Sequence, residues 1–188
     1  MKHLILASAL CLSALSLSAC VATVNAPGVT SATAQTVPVK QTDFAYPHVK
    51  RPNLLVADLE RSLVIYRDIL GFEDAPIGTS GLDSYSYPVF NIPREARMRY
   101  TYLGEPGEDR VLGLTEVSNV DLPRPADRPY MSTVVIGITG FDAIYEKLAA
   151  LGLDMTEPKV SGGTEFTFKE GRFVDPDGHM IVIYEVLD

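Results

Sequence analysis

The chain repeats itself, and that repeat limits its folds more than any other feature. Pro52 to Val56 reads as a short strand. It is followed by Asp58, a residue suited to cap a helix, and by Leu59, Leu63, Tyr66 and Leu70 at helical spacing, with a stop at Gly71. Thr133 to Ile138 is a second strand, followed by Phe141, Ile144, Leu148 and Leu151 and a stop at Gly152. Val56 matches Ile138, Leu59 matches Phe141, and Leu70-Gly71 matches Leu151-Gly152, an offset of about 82 residues that marks a duplicated unit. Each predicted helix precedes short β-like runs. In the first half these are Ser84 to Phe90, Met98 to Leu103 and Val111 to Val117. In the second they are Phe166 to Phe168, Phe173-Val174 and Met180 to Glu185, with Asp175-Pro176-Asp177-Gly178 as the last turn. The expected architecture is α+β: two βαβββ modules, about 48–120 and 128–188.

The N-terminus asks for separate treatment. Residues 1–19 combine a basic start at Lys2, an apolar run from Leu4 to Leu17 and small residues ahead of Cys20, the layout of a secretory signal. The run is too short and too rich in serine for a bilayer-spanning helix. Residues 20–46, rich in Ala, Thr, Val, Gln and Pro without a sustained period, read as a flexible tether. That leaves residues 47–188, a usual size for one domain with one core.

Cys11 and Cys20 are the only cysteines, so the stretch after residue 20 has no disulfide, thiolate nucleophile or cysteine metal ligand. The net charge of −8 argues against a nucleic-acid partner and against a polybasic membrane patch. Gly-x-Ser-x-Gly does not occur, so the sequence offers no nucleophile elbow.

Two resemblances add to this reading. Leu17-Ser18-Ala19-Cys20 resembles the bacterial lipobox, which implies cleavage before Cys20, acylation there, and an extracytoplasmic protein held on a membrane by several acyl chains. Val21, where an inner-membrane lipoprotein would carry Asp, leans the expectation toward the outer membrane. RPNLLVADLERSLVIYRDILGF (51–72) together with GRFVDPDGHMI (171–181) resembles the vicinal oxygen chelate superfamily of glyoxalases, extradiol dioxygenases and bleomycin- or fosfomycin-resistance proteins. The resemblance implies that the two modules curl their mixed sheets into an open cup with the helices outside, in which the family's enzymes hold a divalent metal on His, Gln or Glu.

By this resemblance the ligand positions fall on Arg51, Gly113, Thr133 and Val182. None is a strong ligand, and a guanidinium at 51 repels a cation. No metal and no other cofactor is therefore expected. A relocated set, His48, Glu116, His179 and Glu185, is the alternative, and it would make the chain a lyase or dioxygenase; by strand alternation Glu116, His179 and Glu185 point away from the cup. A third reading is an interaction module with a vestigial cup.

The leading expectation is a metal-independent small-molecule binder. Arg51 would anchor an anionic ligand, and Asn53, Thr133 and Tyr184 would add hydrogen bonds. Arg97 and Arg99 are further candidates from a strand whose opposite face carries Met98, Tyr100 and Tyr102. A homodimer is left open.

Overall fold

A computed structural model describes residues 49–123, 129–162 and 166–187, all within a compact unit spanning Phe44–Asp188. Cys20, the signal and tether segments, and His48 lie outside the described residues. No helix among the described residues is long and apolar enough to cross a membrane.

The first module opens with β1 (Asn53–Val56) and helix α1 (Leu59–Leu63), which widens into π-helical turns over Val64–Ile69. It continues through β2 (Glu73–Asp74), β3 (Gly78–Thr79), the short helix α2 (Ser86–Val89), β4 (Arg97–Glu105) and β5 (Glu108–Ser118). The second contains β6 (Val134–Gly137), α3 (Phe141–Ala150), β7 (Asp154–Met155), β8 (Lys159–Gly162), β9 (Thr167–Val174) and β10 (Met180–Leu187). Each forms a five-stranded mixed sheet of one topology, β1-β5-β4-β2 with β3 also on β4, and β6-β10-β9-β7 with β8 also on β9. The first strand pairs parallel with the last in both. In each module the last two strands are long and two further strands of two to four residues, at positions the sequence reading left unassigned, pair along the edge; the predicted runs Phe166 to Phe168 and Phe173-Val174 fall on or beside the single strand β9.

Asp58 caps α1 as its sequence position suggests, its Oδ1 accepting the Arg61 N–H at 2.9 Å. Gly71 and Gly152 end the two helical segments with φ of 87° and 71°, the left-handed conformation that an L side chain resists. The run Ser84 to Phe90 departs from its β-like reading. Its Tyr-Ser-Tyr alternation imitates a strand, yet the Ser84 hydroxyl accepts the Ser86 N–H at 3.2 Å and Pro88 lacks the donor a ladder needs, so the segment turns helical.

Alternate residues of both sheets bury against the helices. Leu54, Val56, Leu103, Leu112 and Leu114 from the first module share one core with Ile136, Phe173, Ile181 and Ile183 from the second, and α1 and α3 fill it with Leu59, Leu63, Phe141 and Leu148. Full burial of such side chains stabilises by roughly 1.5–3 kcal/mol each. The π turns bring the adjacent Ile65 and Tyr66 into this core together. The opposite, cup-side face of the first sheet holds a smaller core, in which Tyr87, Ile92 and Ala96 fold onto Met98, Val117 and Leu55. The second module has no room for such a cover: Ser80 to Ala96 separate β3 from β4, but only residues 163–166 separate β8 from β9.

Between modules, the Asp175-Gly178 turn docks on the junction of β1 and α1. Tyr66 Oη donates to Asp175 Oδ2 at 2.9 Å, and Asp177 Oδ1 accepts the Ala57 N–H at 3.0 Å and Arg61 Nη2 at 2.8 Å. The imidazole of His179, half-buried rather than the turn-flanking surface group its sequence position suggests, meets the Leu55 carbonyl at 2.8 Å. Asp175 Oδ1 also accepts the N–H groups of Asp177 and His179, which holds the turn rigid.

Burial raises the Tyr66 phenol well above its ordinary value of 10.0, and the Asp175 carboxylate reinforces the effect. Above pH 10 the unfolded phenol loses its proton while the folded one keeps it, so stability falls as pH rises. Tyr66→Phe is expected to cost about 2 kcal/mol at neutral pH, because Asp175 Oδ2 loses its donor, and to flatten the alkaline loss of stability. Denaturant unfolding of both chains from pH 7 to pH 11 measures the two effects.

Candidate functional site

A cleft of about 670 Å³ opens on the cup side of the first sheet. Its floor is β1, β4 and β5, and its far wall is the chain from Thr79 to Phe90. Strand alternation delivers Asn53, Tyr100, Tyr102 and Thr115 to this face, because Tyr102 pairs with Gly113 and Tyr100 with Thr115 in the β4–β5 register. Asn53 Nδ2 donates to Thr115 Oγ1 at 3.1 Å. The ring of Tyr100 lies over Gly78 and tilts against Tyr102 with centroids 5.6 Å apart. Ser80, Ser84 and Ser86 add hydroxyls from the wall.

Arg51 stands at the edge of this floor with its guanidinium carbon 4.3 Å from the centroid of the Tyr102 ring, a cation–π contact. Among the described residues no carboxylate pairs with it.

The six side chains singled out from sequence occupy different places. Arg51 and Asn53 line the cleft together. Thr133 lies across the module boundary in a second cleft of about 670 Å³, beside Tyr130, Met131 and His179, and its hydroxyl donates to the Met180 carbonyl at 2.9 Å. Asn53 borders both clefts. Tyr184 lies in a third, of about 420 Å³, where it faces Gly137. Arg97 is exposed and donates to the Glu95 and Ala96 carbonyls at 3.1 and 2.9 Å. Arg99 lies on the helix side of β4, opposite the cleft. It contacts both carboxylate oxygens of Glu116, through Nε at 2.9 Å and Nη2 at 2.5 Å, and both of Glu60, at 2.9 and 2.8 Å. Those bonds commit most of its donors and hold the Glu60 carboxyl below the usual range.

Tyr100, Tyr102 and Thr115 are the cleft residues that sequence reading did not select. The signal was the alternation of Arg97, Arg99 and Thr101 against Met98, Tyr100 and Tyr102. Which set faces the cup depends on the register with β5, and an arginine looks more like a ligand anchor than a tyrosine does.

The residues fit a divalent metal poorly. The positions at issue carry Arg51, Gly113, Thr133 and Val182, and a Cβ at 113 would run into Asn53 Oδ1, so the space a carboxylate side chain needs there is taken by an amide. Two of the alternative ligands have structural work instead. Glu116 Oε2 accepts the Leu59 N–H at 3.0 Å, at the start of α1. Glu185 accepts the N–H groups of Gly140 and Phe141 at 2.6 and 3.0 Å, at the start of α3. The duplication therefore preserves one device twice, a glutamate on the last strand that satisfies the free amides of its module's helix. Asp58, Glu60 and Glu116 bring carboxylate oxygens within 4.8 Å of one another, but Arg99 is already paired with two of the three.

The sequence from residue 46 to 183 matches the model of the Glyoxalase/Bleomycin resistance protein/Dioxygenase superfamily. The chain belongs to that superfamily. No match was found among curated protein sequences. A glyoxalase family protein from Bacillus cereus is similar in structure, with a TM-score of 0.61 at 10% identity, over 78% of this chain and 98% of that one. A glyoxylase/bleomycin resistance protein/dioxygenase domain from Frankia sp. EAN1pec gives a TM-score of 0.52 at 19% identity, over 77% and 95%. The fosfomycin resistance protein of Listeria monocytogenes, crystallised with Mn(II) and sulfate, gives 0.48 at 15%, over 75% and 93%. For the Bacillus cereus and Frankia proteins, at these identities, the likeness is one of fold.

Replacing Glu116 by Ala is expected to destabilise the chain by about 2 kcal/mol, since it strands a buried amide at the start of α1 and half-unpairs a partly exposed Arg99. A lower urea midpoint, with no dependence on added Mn(II) or Zn(II), is the expected result. A midpoint that metal raises in the parent chain and not in the variant would instead make Glu116 a ligand.

Proposed function

We propose that this superfamily member binds a small anionic molecule without a metal, and that it does so while tethered to a bacterial membrane through Cys20. The observation that carries the binding half is Arg51. A guanidinium, stacked on Tyr102 and without a carboxylate partner among the described residues, stands where the family's resemblance would place a metal ligand. In a chain of net charge −8, an unpaired cation beside a cleft creates a local attraction for an anion that the rest of the surface repels. The ring fixes the guanidinium's position, and Asn53, Thr115 and the wall serines offer hydrogen bonds to the body of the ligand. The fold is kept while chelating side chains are not, which favours holding a molecule over chelating and converting it.

The membrane half rests on the lipobox resemblance of Leu17 to Cys20 and on the tether-like composition of residues 20–46. It puts the domain on an extracytoplasmic face, with the outer membrane favoured. A homodimer is compatible with this reading and is reported by the same mass measurement as the ligand.

Native mass spectrometry and elemental analysis of the full-length chain from its host test the binding half. The expected result is a retained small anion and no stoichiometric Mn, Fe, Ni or Zn. Arg51→Met is expected to lose the retained anion while the thermal midpoint stays within a few degrees, because the side chain is at the cleft edge. A stoichiometric metal would overturn the reading. For the membrane half, Cys20→Ser is expected to shift the protein from the membrane fraction to the soluble fraction, and to remove incorporation of labelled palmitate.

A further inference from the structure

A second guanidinium shares the ring that holds Arg51. The carbon of Arg110 lies 5.0 Å from the Tyr102 centroid, against 4.3 Å for Arg51. The backbone goes out of its way to put it there. The β4–β5 register slips between Leu103 and Glu105, where Leu103 faces Leu112 but Glu105 faces Glu108, so β5 carries extra chain in a bulge. Arg110 sits in that bulge at φ 63°. Among the described residues the other non-glycine positions with positive φ are Asn91 and Asn119, and asparagine tolerates that conformation far better than arginine.

A strained arginine in a bulge that re-aims its side chain onto the cleft floor is a feature that packing does not explain. Arg110 is exposed, and no carboxylate among the described residues pairs with it. The neighbouring Lys50, by contrast, has Glu108 at 3.9 Å. Two like charges gathered on one ring repel each other until an anion joins them. One carboxylate satisfies one guanidinium fork; the second fork then asks for a second acidic group.

We propose that Arg110 is the second anion anchor of this cleft, and that with Arg51 it selects a small dicarboxylate, two carboxylates on one short carbon frame. The proposal rests on the anion-binding reading given above and narrows it. The guanidinium carbons lie 4.3 and 5.0 Å from one ring centroid, so they stand less than about 10 Å apart, which bounds the length of a frame that reaches both. The hydroxyls of Thr79, Ser80 and Ser84 on the facing wall suit a polar frame over a long aliphatic one.

The test titrates the full-length chain calorimetrically with the linear dicarboxylates from malonate to adipate, each against the monocarboxylate of equal carbon number. At low ionic strength one dicarboxylate of the series is expected to bind at least about tenfold more tightly than its monocarboxylate, with the preference shrinking as salt is added. Arg110→Asn, which keeps a residue tolerant of positive φ, is expected to erase that preference, weakening dicarboxylate binding far more than monocarboxylate binding. Arg51→Met is expected to weaken both. A preference unaltered in Arg110→Asn would overturn the role of Arg110 while the anion-binding reading stands. Equal affinity for both ligand classes in the parent chain would overturn the dicarboxylate. Absence of binding to any of these acids in the parent chain would overturn the inference and the reading beneath it together. A purely structural Arg110 would change the thermal midpoint and not the ratio of the two affinities.

Discussion

The docking of the Asp175-Gly178 turn onto the β1–α1 junction is the constraint on which the rest of the molecule depends. A carboxylate taken out of water must be met by donors, and Asp175 is met on one oxygen by two amides of its own turn and on the other by the Tyr66 hydroxyl from the opposite module. Asp177 and His179 add three further bonds to residues 55, 57 and 61. The shared apolar core is non-directional, and by itself it would allow the modules to slide. These bonds give the interface a register, and with it the placement of β1, which carries Asn53 into two clefts and Arg51 to the edge of one.

Duplication gives two modules the same topology and the same glutamate cap, but it does not give them the same use. The first module folds Tyr87, Ile92 and Ala96 over half of its cup face and keeps a cleft beside them. The second leaves that face bare, with Val135 58% exposed and Val186 53%. The connection lengths differ in step: Ser80 to Ala96 link β3 to β4 and fold back over the sheet, whereas four residues separate β8 from β9 in the sequence. The cleft lies beside the covered part of the first module's face, where the guanidinium groups of Arg51 and Arg110 both lie over the Tyr102 ring.

Much of the architecture could be read from residue order. Hydrophobic spacing located both helices, Asp58 and the two glycines marked their ends, and the 82-residue offset told of two equal modules. These are local effects, so a local reading suffices. It failed where local pattern and environment conflict, as at Tyr85-Ser86-Tyr87, whose alternation imitates a strand while Tyr87 buries under a helical turn. At the cleft, alternation put Arg51 and Asn53 on one face, and both line it in the structure. It took Arg99 for a cleft residue because two alternating sets on β4 are equally plausible until the partner strand is known. It passed over Arg110, whose direction is set by a bulge rather than by alternation.

The amino-acid sequence by itself determined the two-module plan and the superfamily, since these follow from spacing and side-chain chemistry. The tertiary structure alone decided which face of β4 lines the cleft, that Glu116 and Glu185 cap helices, and that Arg51 and Arg110 converge on one tyrosine. Each of those depends on strand register and on contacts between residues far apart in the chain, and a one-residue change in register would turn every one of these side chains to the other face.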